Sequence, residues 1–523
     1  MSPVSAQHLK AAINNYVSET LRKSNYTPRE VKDGKTIRCS VFGFNVFRNY
    51  EINLIDSPFI QRLRGIYQTA LALYTYPGAT HSRFEHSLGC ATNAEKVLRS
   101  LKEKGRNVSE TFWAEVRLAA LLHDIGHGPF SHASEKIYSS FDDFAALFEN
   151  LQNEEPEVFR GCKPHEMLSY LIITSPRFKE FFKQIVRCSS GNAFNLDEIN
   201  LERVGRMVVG RLPEPGHPEL KYLTQIINGP FDVDKIDYIH RDGHHTGLKT
   251  DVDVERLFLT MDLVRNVDDE TVLSVDLSGG TVLEQLFFNK SILFSSVYHH
   301  HKIRSSLCAI ISLFKYIREK KLTIRGLDFS SPVHFLEVDE YDILNQCHTD
   351  GPLNEIIAQI KQGRFLKRAL VLTQITFESD AMGDIMYNLE SDPEELSKIE
   401  AEISTHASLN SSELKNIFVD FPDRPKYDRA AKESLIRISK TTTVPLSEVY
   451  PVRGLVTGYS QYRFKAYVFC PPGSEEAVGL SAHEVFRSKG LVLKKAAFEL
   501  AKHDMSFIDG ALYQRDRLPL ASH

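Results

Sequence analysis

The segment LLHDIGHGPFSH, residues 121–132, places three histidines and one aspartate within ten residues, directly after an apolar helical stretch. Histidine nitrogens and carboxylate oxygens are ligands of first-row transition metals, and a metal ion held by them can activate water. A structural core has little use for so many titratable groups in one place. The segment therefore predicts a metal-dependent hydrolytic site where a buried helix ends.

The spacing within this segment predicts how its side chains are arranged. His123 and His127 are four residues apart and are expected to share a helical face. A Gly-Pro pair at 128–129 then ends the helix. His132 and Glu135 are three residues apart and are expected in the first turn of the next helix.

Three other segments offer side chains that could complete the site. In HSRFEHS, residues 81–87, His86 can supply an imidazole nitrogen, and Arg83 can supply a guanidinium fork for phosphate. His165 follows a proline at a predicted helix start. In FDVDKIDYIHRD, residues 231–242, Asp234 lies on one helical face with Tyr238, four residues later.

These segments together predict a site for one divalent ion. Its expected ligands are two imidazoles and two carboxylates, from His86, His123, Asp124 and Asp234. Mixed nitrogen and oxygen ligation favours Mn, Fe, Co, Ni or Zn and leaves Mg open. The remaining histidines, His127, His132 and His165, are then available to orient water or to protonate a leaving group.

Composition indicates an ordinary globular protein. Of 523 residues, 42% are apolar and 25% are charged, and the formal net charge of −5 does not indicate a nucleic-acid-coating protein, although local basic pockets remain open. Seven scattered cysteines without a Cys-x-x-Cys pair predict reduced thiols and a cytoplasmic location. The first residues lack an apolar signal core, and no apolar run approaches about 18 residues, so no membrane span is expected.

The pattern along the chain predicts a mainly α fold, with a helical core, a short N-terminal hairpin within residues 35–55 and a mixed α+β C-terminal lobe. We divide the chain into an N-terminal extension (1–34), a catalytic domain (35–325) and a C-terminal lobe for oligomerisation or regulation (326–523). A single long apolar helix is expected over about 283–318. Alternating residues predict strands within 449–470.

Four motifs then carry a family resemblance, in this order: IDSP (55–58) with QRLR (61–64); PGA (77–79) with RFEHSLG (83–89); the His-Asp segment up to residue 132; and DVDK (232–235) with DGHH (242–245). From about residue 35 to 302 the sequence resembles the catalytic portion of the HD-domain deoxynucleoside triphosphate (dNTP) triphosphohydrolases, the family of the sterile-alpha-motif and HD-domain proteins. We expect no sterile-alpha-motif domain before residue 35. The resemblance implies a helical HD-domain core and water attack on the α-phosphorus, giving deoxynucleoside and inorganic tripolyphosphate.

The resemblance also implies a role for each matching residue. The metal ligands are those already named. The catalytic residues are His127, His165 and Glu135, and Glu135 stands where the family has an aspartate. Arg83, His132, Lys235 and Tyr238 match contacts to the triphosphate, Gln68 and Asp242 match groups that hold the sugar 3′-hydroxyl, and Tyr298 matches an aromatic that excludes a 2′-hydroxyl.

Family members that respond to nucleotide effectors bind guanine nucleotide with an acidic residue, a glutamine and an arginine, matched here by Asp56, Gln61 and Arg64, with Lys35 nearby. Arg256 matches a cation of the adjoining effector pocket. Residues 39–42 read CSVF instead of the expected Asp-Pro-Ile-His, and residues 276 and 278 are not the expected basic pair. These departures favour the presence of the guanine-nucleotide pocket over that of the adjoining effector pocket. The resemblance further implies a homo-oligomer, a tetramer, with effector pockets between subunits.

Two other functions fit parts of the same pattern. One is an HD-type phosphodiesterase or nuclease that uses the same metal ion. The other is a nucleotide-sensing or nucleic-acid-binding scaffold with a vestigial site. The Lys235–Tyr238 pair and Arg83 favour a triphosphate substrate, and the complete ligand set favours an active enzyme.

Overall fold

The fold is described from a computed structural model that covers residues 6–192, 194–345, 351–378, 389, 393–408, 417–422, 427–439 and 442–502. Eighteen helices, α1–α18, are numbered in chain order: Ala6–Ser24, Asn49–Ile55, Pro58–Gln61, Arg83–Glu103, Glu110–Leu122, His132–Ser139, Asp142–Glu154, Pro156–Phe159, Pro164–Thr174, Pro176–Arg187, Leu201–Val208, Lys221–Ile227, Val233–Thr246, Val254–Thr260, Gly280–Leu293, His301–Glu319, Glu340–Leu344 and Gly351–Lys361. Further helices span Pro393–His406, Tyr427–Glu433, Leu446–Val449, Val452–Arg463, Glu475–Ser488 and Ala496–Lys502. The strands β1–β9 are Lys35–Cys39, Gly43–Phe47, Met261–Arg265, Thr271–Asp276, Lys367–Leu372, Phe418–Asp420, Leu435–Arg437, Thr443–Pro445 and Ala466–Cys470.

The chain forms two compact units. The first contains residues 1–293, 317–347 and 426–456, and the second contains residues 294–316, 348–425 and 457–523. The first unit therefore gathers segments that are distant in sequence, including part of the range predicted as a C-terminal lobe. The predicted domain boundaries at residues 34 and 325 remain a prediction.

The core of the first unit is helical. Helix α4 packs against α5 and α13, and α5 also packs against α11 and α12. Gly89 on α4 permits the close contact with α13, because a side chain there would collide with Asp237 and Arg241. This contact brings residues from two distant motifs to one place.

In the described part of the chain, three small sheets accompany the helices. Strands β1 and β2 form an antiparallel hairpin in which Lys35 pairs with Phe47. The first unit also holds a four-stranded sheet of order β3-β4-β7-β8, in which β4 and β7 are parallel. The second unit contains an antiparallel sheet of order β5-β9-β6, packed against apolar residues of the helices Pro393–His406 and Glu475–Ser488.

The predicted mainly helical class and the N-terminal hairpin are confirmed. The single helix predicted over 283–318 is wrong, because a wider helical turn over Phe294–Tyr298 and the non-helical His299 and His300 separate α15 from α16. Within 449–470 only β9 is a strand, and the preceding residues form the helix Val452–Arg463. Within the described part of the chain, no helix combines the length and apolar composition that crossing a bilayer requires.

Candidate metal and phosphate site

The His-Asp segment begins where α5 ends. The side chain of Ser109 accepts a hydrogen bond from the amide of Phe112 and caps the start of this helix. The helix stops at Leu122, and His123 and His127 lie in the consecutive turns that follow it. The prediction that these two histidines share one helical face is therefore wrong. The Ser169 hydroxyl on α9 fixes these turns, since it donates to the His123 carbonyl (2.6 Å) and accepts from the Gly126 amide (2.9 Å).

The four predicted metal ligands converge. His86 Nε2 lies 3.1 Å from Asp234 Oδ1 and 3.6 Å from Asp124 Oδ2. His123 Nε2 lies 3.4 Å from Asp124 Oδ1 and 3.9 Å from Asp234 Oδ1. Helices α4 and α13 and the turn after α5 thus contribute two imidazoles and two carboxylates to one small volume.

Hydrogen bonds orient both imidazoles so that Nε2 faces this volume. His86 Nδ1 lies 2.7 Å from Asp237 Oδ2, and Arg241 holds that carboxylate through two bonds of 2.8 Å. His123 Nδ1 lies 2.8 Å from the Ala120 carbonyl. A proton on each Nδ1 leaves the Nε2 lone pair free for a ligand, an arrangement typical of metal-binding histidines.

The donor set fits a divalent ion. His123 Nε2 is buried and has no hydrogen-bond partner, a costly state that a bound cation would relieve. Cys90, one turn after His86, also borders the cluster, although its sulfur lies 3.6 and 3.7 Å from the two ring nitrogens of His86. Because the sulfur is nearly equidistant from both nitrogens, it packs beside the ring, and the two histidines and two aspartates suffice without it.

A second group lies next to the first and consists of His127, His132, Glu135 and His165. Glu135 pairs with Nδ1 of His165 and lies 3.5 Å from Nδ1 of His132. The rings of His127 and His165 stack with their centroids 3.9 Å apart. The predicted catalytic residues are therefore neighbours, and the longer glutamate stem reaches both of its histidines.

Asp124 joins the two groups. Its Oδ1 lies 3.3 Å from His127 Nε2, and its Oδ2 is paired with Arg83. Arg83, His123 and His127 hold the pKa of this carboxyl well below its usual value, although burial alone would raise it. Burial, together with Arg83 and His165, lowers the pKa of His127 far below its usual range, so this imidazole is neutral at physiological pH.

Cationic side chains surround the two groups. Arg83 Nη2 is buried without a hydrogen-bond partner, and Lys235 is tied to Asp232 and to the Gly229 carbonyl. Two further lysines, which the sequence did not predict, lie near the site. Glu135 and Glu166 raise the pKa of Lys163, whereas burial and the charge of Lys235 lower the pKa of Lys290 to about 8. A lysine carries no motif of its own, and only folding brings these two to the site.

The two residues predicted to hold the sugar both contact His81. The Gln68 amide donates to the His81 carbonyl (3.0 Å), and Asp242 Oδ1 lies 2.8 Å from His81 Nε2. The Gln68 side-chain oxygen is buried without a hydrogen-bond partner. Tyr238 lies on α13, as predicted.

Tyr298 belongs to the second unit, where its ring packs edge-on against Phe294 at 5.0 Å. Its assignment to the sugar pocket remains a prediction.

The predicted effector residues lie on separate elements. Gln61 and Arg64 are joined by a 2.8 Å hydrogen bond, and the Arg64 guanidinium lies 3.5 Å from the centre of the Phe84 ring. Asp56 pairs with Arg29 at 2.6 Å. Lys35 lies on β1 and Arg256 on α14, where Arg256 Nε donates to the Ser278 carbonyl. The effector pockets remain a prediction.

Comparisons with known proteins match most of the chain. Residues 83–242 match the HD domain, and residues 252–494 match the HD associated region. Human deoxynucleoside triphosphate triphosphohydrolase SAMHD1 is 32% identical over 283 residues, covering 51% of this chain and 42% of the human protein. An uncharacterized protein of Methanocaldococcus jannaschii is 29% identical over 312 residues, covering 58% of this chain and 56% of its own. The chain thus matches about half the length of these curated relatives.

The fold also has a counterpart of known structure. The crystal structure of a hypothetical protein from Aquifex aeolicus is 24% identical, with a TM-score of 0.59 over 86% of this chain and 99% of that one. At this identity the likeness concerns the fold alone. The HD match spans every residue of the two histidine-carboxylate groups, and HD domains bind divalent metal ions. The chain therefore contains an HD domain, followed by an HD associated region.

Proposed function

We propose that the protein hydrolyses dNTPs to deoxynucleoside and inorganic tripolyphosphate. The observation that carries the proposal is the shared carboxylate: Asp124 lies 3.4 Å from His123 in the ligand cluster and 3.3 Å from His127 in the second group. A phosphate bound between the two groups would have the metal ligands on one side and the acid–base side chains on the other. The names of the SAMHD1 relatives support a dNTP as substrate.

His86, His123, Asp124 and Asp234 would hold one divalent ion, whose identity among Mn, Fe, Co, Ni, Zn and Mg stays open. When bound, such an ion supplies Lewis-acid polarisation of a phosphate oxygen and acidifies water. Asp237 and Arg241 keep His86 in the required tautomer.

The second group supplies the proton chemistry. Burial alone would raise the pKa of Glu135, but His165 and His132 hold it far below its usual value. Glu135 is therefore a carboxylate that accepts hydrogen bonds. Its hydrogen bond to Nδ1 orients His165, which leaves the other ring nitrogen to exchange a proton with water or the leaving oxygen. His127 stays neutral and can accept a hydrogen bond from the attacking water.

The cationic side chains around the site would bind the triphosphate and stabilise the tripolyphosphate that leaves. A triphosphate carries about four negative charges at neutral pH, so its binding requires local positive charge in a protein whose net charge is −5. Arg83, His132, Lys235 and Tyr238 are the proposed triphosphate contacts, and we add Lys163 and Lys290. Gln68, Asp242 and Tyr298 are proposed to select the deoxyribose. A homo-oligomer, regulation by GTP or dNTP, and a cytoplasmic location are further parts of this proposal.

A product assay tests it. The purified full chain is incubated with each dNTP and Mn²⁺ or Mg²⁺, with and without GTP, and the phosphate products are separated. Tripolyphosphate is expected from the wild type, none from His123→Ala, and wild-type amounts from His217→Ala, a control at a half-exposed histidine that pairs with Glu219. Monophosphate or pyrophosphate as the sole product would favour a phosphodiesterase or nuclease. Nucleotide binding without turnover would favour the sensing scaffold.

A further inference from the structure

Glu340 is a buried carboxyl that the proposed reaction does not use. It opens α17, is only 2% exposed, and belongs to the first unit although the sequence predicted residues 326–523 as a separate lobe. The Asp339 side chain caps this helix by accepting from the Asp342 amide (2.9 Å), which fixes the direction in which Glu340 leaves the backbone.

Two loops meet at this carboxyl. Its Oε1 accepts hydrogen bonds from the amides of Tyr67 and Phe130, each at 3.0 Å. Tyr67 precedes the proposed sugar contact Gln68, and Phe130 lies two residues before His132, which opens α6. A single oxygen therefore links the loop before α4 to the turn before α6.

The turn that Glu340 holds is strained. Phe130 and Ser131 both have positive φ, 62° and 55°, a conformation that residues with a side chain adopt only when their surroundings impose it. The Ser131 hydroxyl accepts from Arg83 Nε (2.9 Å) and donates to the Tyr67 carbonyl, so the same two loops are joined a second time. The direction of α6, and with it the position of Glu135, depends on this turn.

We propose that Glu340 is a positioning residue that fastens the Tyr67–Gln68 loop to the Phe130–Ser131 turn and thereby places His132 and Glu135 beside the metal ligands. The role in catalysis rests on the proposed function, whereas the structural link does not. The ligands themselves lie on α4, on α13 and directly after α5, so their ion should bind without Glu340.

Three full-length variants test the proposal. Glu340→Ala removes the hydrogen-bond acceptor, and Glu340→Gln keeps an oxygen at the same reach. Glu337→Ala is the control, because Glu337 lies three residues before Glu340 and forms a 3.0 Å ion pair with Lys23 of α1. We expect Glu340→Ala to speed amide hydrogen exchange at Tyr67 and Phe130 and to lower kcat at least tenfold, with a smaller change in KM and unchanged bound Mn²⁺. Glu340→Gln should restore slow exchange and most of kcat.

The outcomes separate this inference from the proposed activity. Unchanged exchange at both amides in Glu340→Ala would overturn the link, even in a chain that proves inactive towards dNTPs. Equal losses in the alanine and glutamine variants would overturn the acceptor role. If Glu340→Ala does not fold, Glu340→Gln is compared with Glu337→Ala. A lower kcat in Glu340→Gln than in Glu337→Ala would mean that the carboxylate charge is required, and it would overturn the role of Glu340 as a simple hydrogen-bond acceptor.

Discussion

Replacing Glu340 by glutamine should flatten the pH dependence of the stability of the first unit. Burial raises the pKa of Glu340 from its ordinary value near 4.5 to about 8, with Asp339 adding to the shift and the two amide donors and Arg83 opposing it. Tyr74 is a further titratable group near this carboxyl. Between these two values the folded chain keeps a proton that the unfolded chain has released.

The sign and size follow from this difference in bound protons. Because the folded state binds the extra proton, the stability that Glu340 contributes is present in full below about pH 4.5 and is lost as pH rises through about 8. A shift of about three and a half units at 1.36 kcal/mol each gives a loss of about 5 kcal/mol over that interval, as an upper limit. Glutamine does not titrate, so Glu340→Gln lacks this loss.

Urea unfolding provides the assay. Trp113 is the only tryptophan in the chain, lies on α5 and is 4% exposed, so its fluorescence reports the first unit specifically. Midpoints measured between about pH 5 and pH 8 should fall more steeply for the wild type and the control Glu337→Gln than for Glu340→Gln. Parallel midpoint curves for the wild type and Glu340→Gln would show that this carboxyl titrates normally and would refute the reasoning.

Four further predictions concern the site. His123→Ala should abolish turnover and reduce bound metal while the far-ultraviolet circular dichroism stays that of the wild type; retained activity would remove the basis of the mechanism. Asp237→Asn should weaken metal binding about 10- to 100-fold in a Mn²⁺ titration, because the orientation of His86 is lost; an unchanged affinity would contradict this. In Lys290→Met the affinity for a non-hydrolysable dNTP should be low at every pH, whereas wild-type affinity should fall as pH rises through about 8, where Lys290 loses its charge; identical pH curves would exclude that lysine. Tyr298→Ala should reduce discrimination against ribonucleotides, and unchanged selectivity would make that ring structural.

The four predicted ligands could be selected from the sequence because each sits in a short motif, and their role as metal ligands remains a prediction. His123 and Asp124 are adjacent, and their chemistry is visible in the residue types alone. His86 lies at the start of a helix whose apolar stripe is equally visible, and Asp234 opens another. The spacing argument failed only in detail, since the turns after α5 and not a helical face direct His127.

The failures have a common cause, which is that backbone conformation and tertiary contacts leave little local signal. The π-helical turn over Phe294–Tyr298 and the non-helical His299 and His300 follow a stretch whose apolar residues suit a continuous helix, and no proline or glycine marks the change. Likewise residues 452–463 form a helix, although their alternation of apolar and polar residues is typical of a strand.

The supporting residues were unpredictable for a related reason. Ser169, Glu340 and Arg62 bind backbone carbonyls and amide N–H groups, which every residue except proline possesses. Arg62, for example, donates to the carbonyls of Ile125 (3.3 Å) and His127 (2.9 Å). Such partners have no fixed spacing, so no motif can announce them.

Asp124 explains why so many supports surround one short turn. Its two oxygens face His86, His123, His127 and Arg83 at once, so a small rotation of the carboxylate would change its distances to members of both groups. Turns are mobile by default, because their amides and carbonyls are not paired within a helix. Here Ser169 and Arg62 pair them from α9 and from the start of the 3₁₀ turn Arg62–Gly65. The rigidity that the site requires is therefore supplied by residues that take no part in the chemistry.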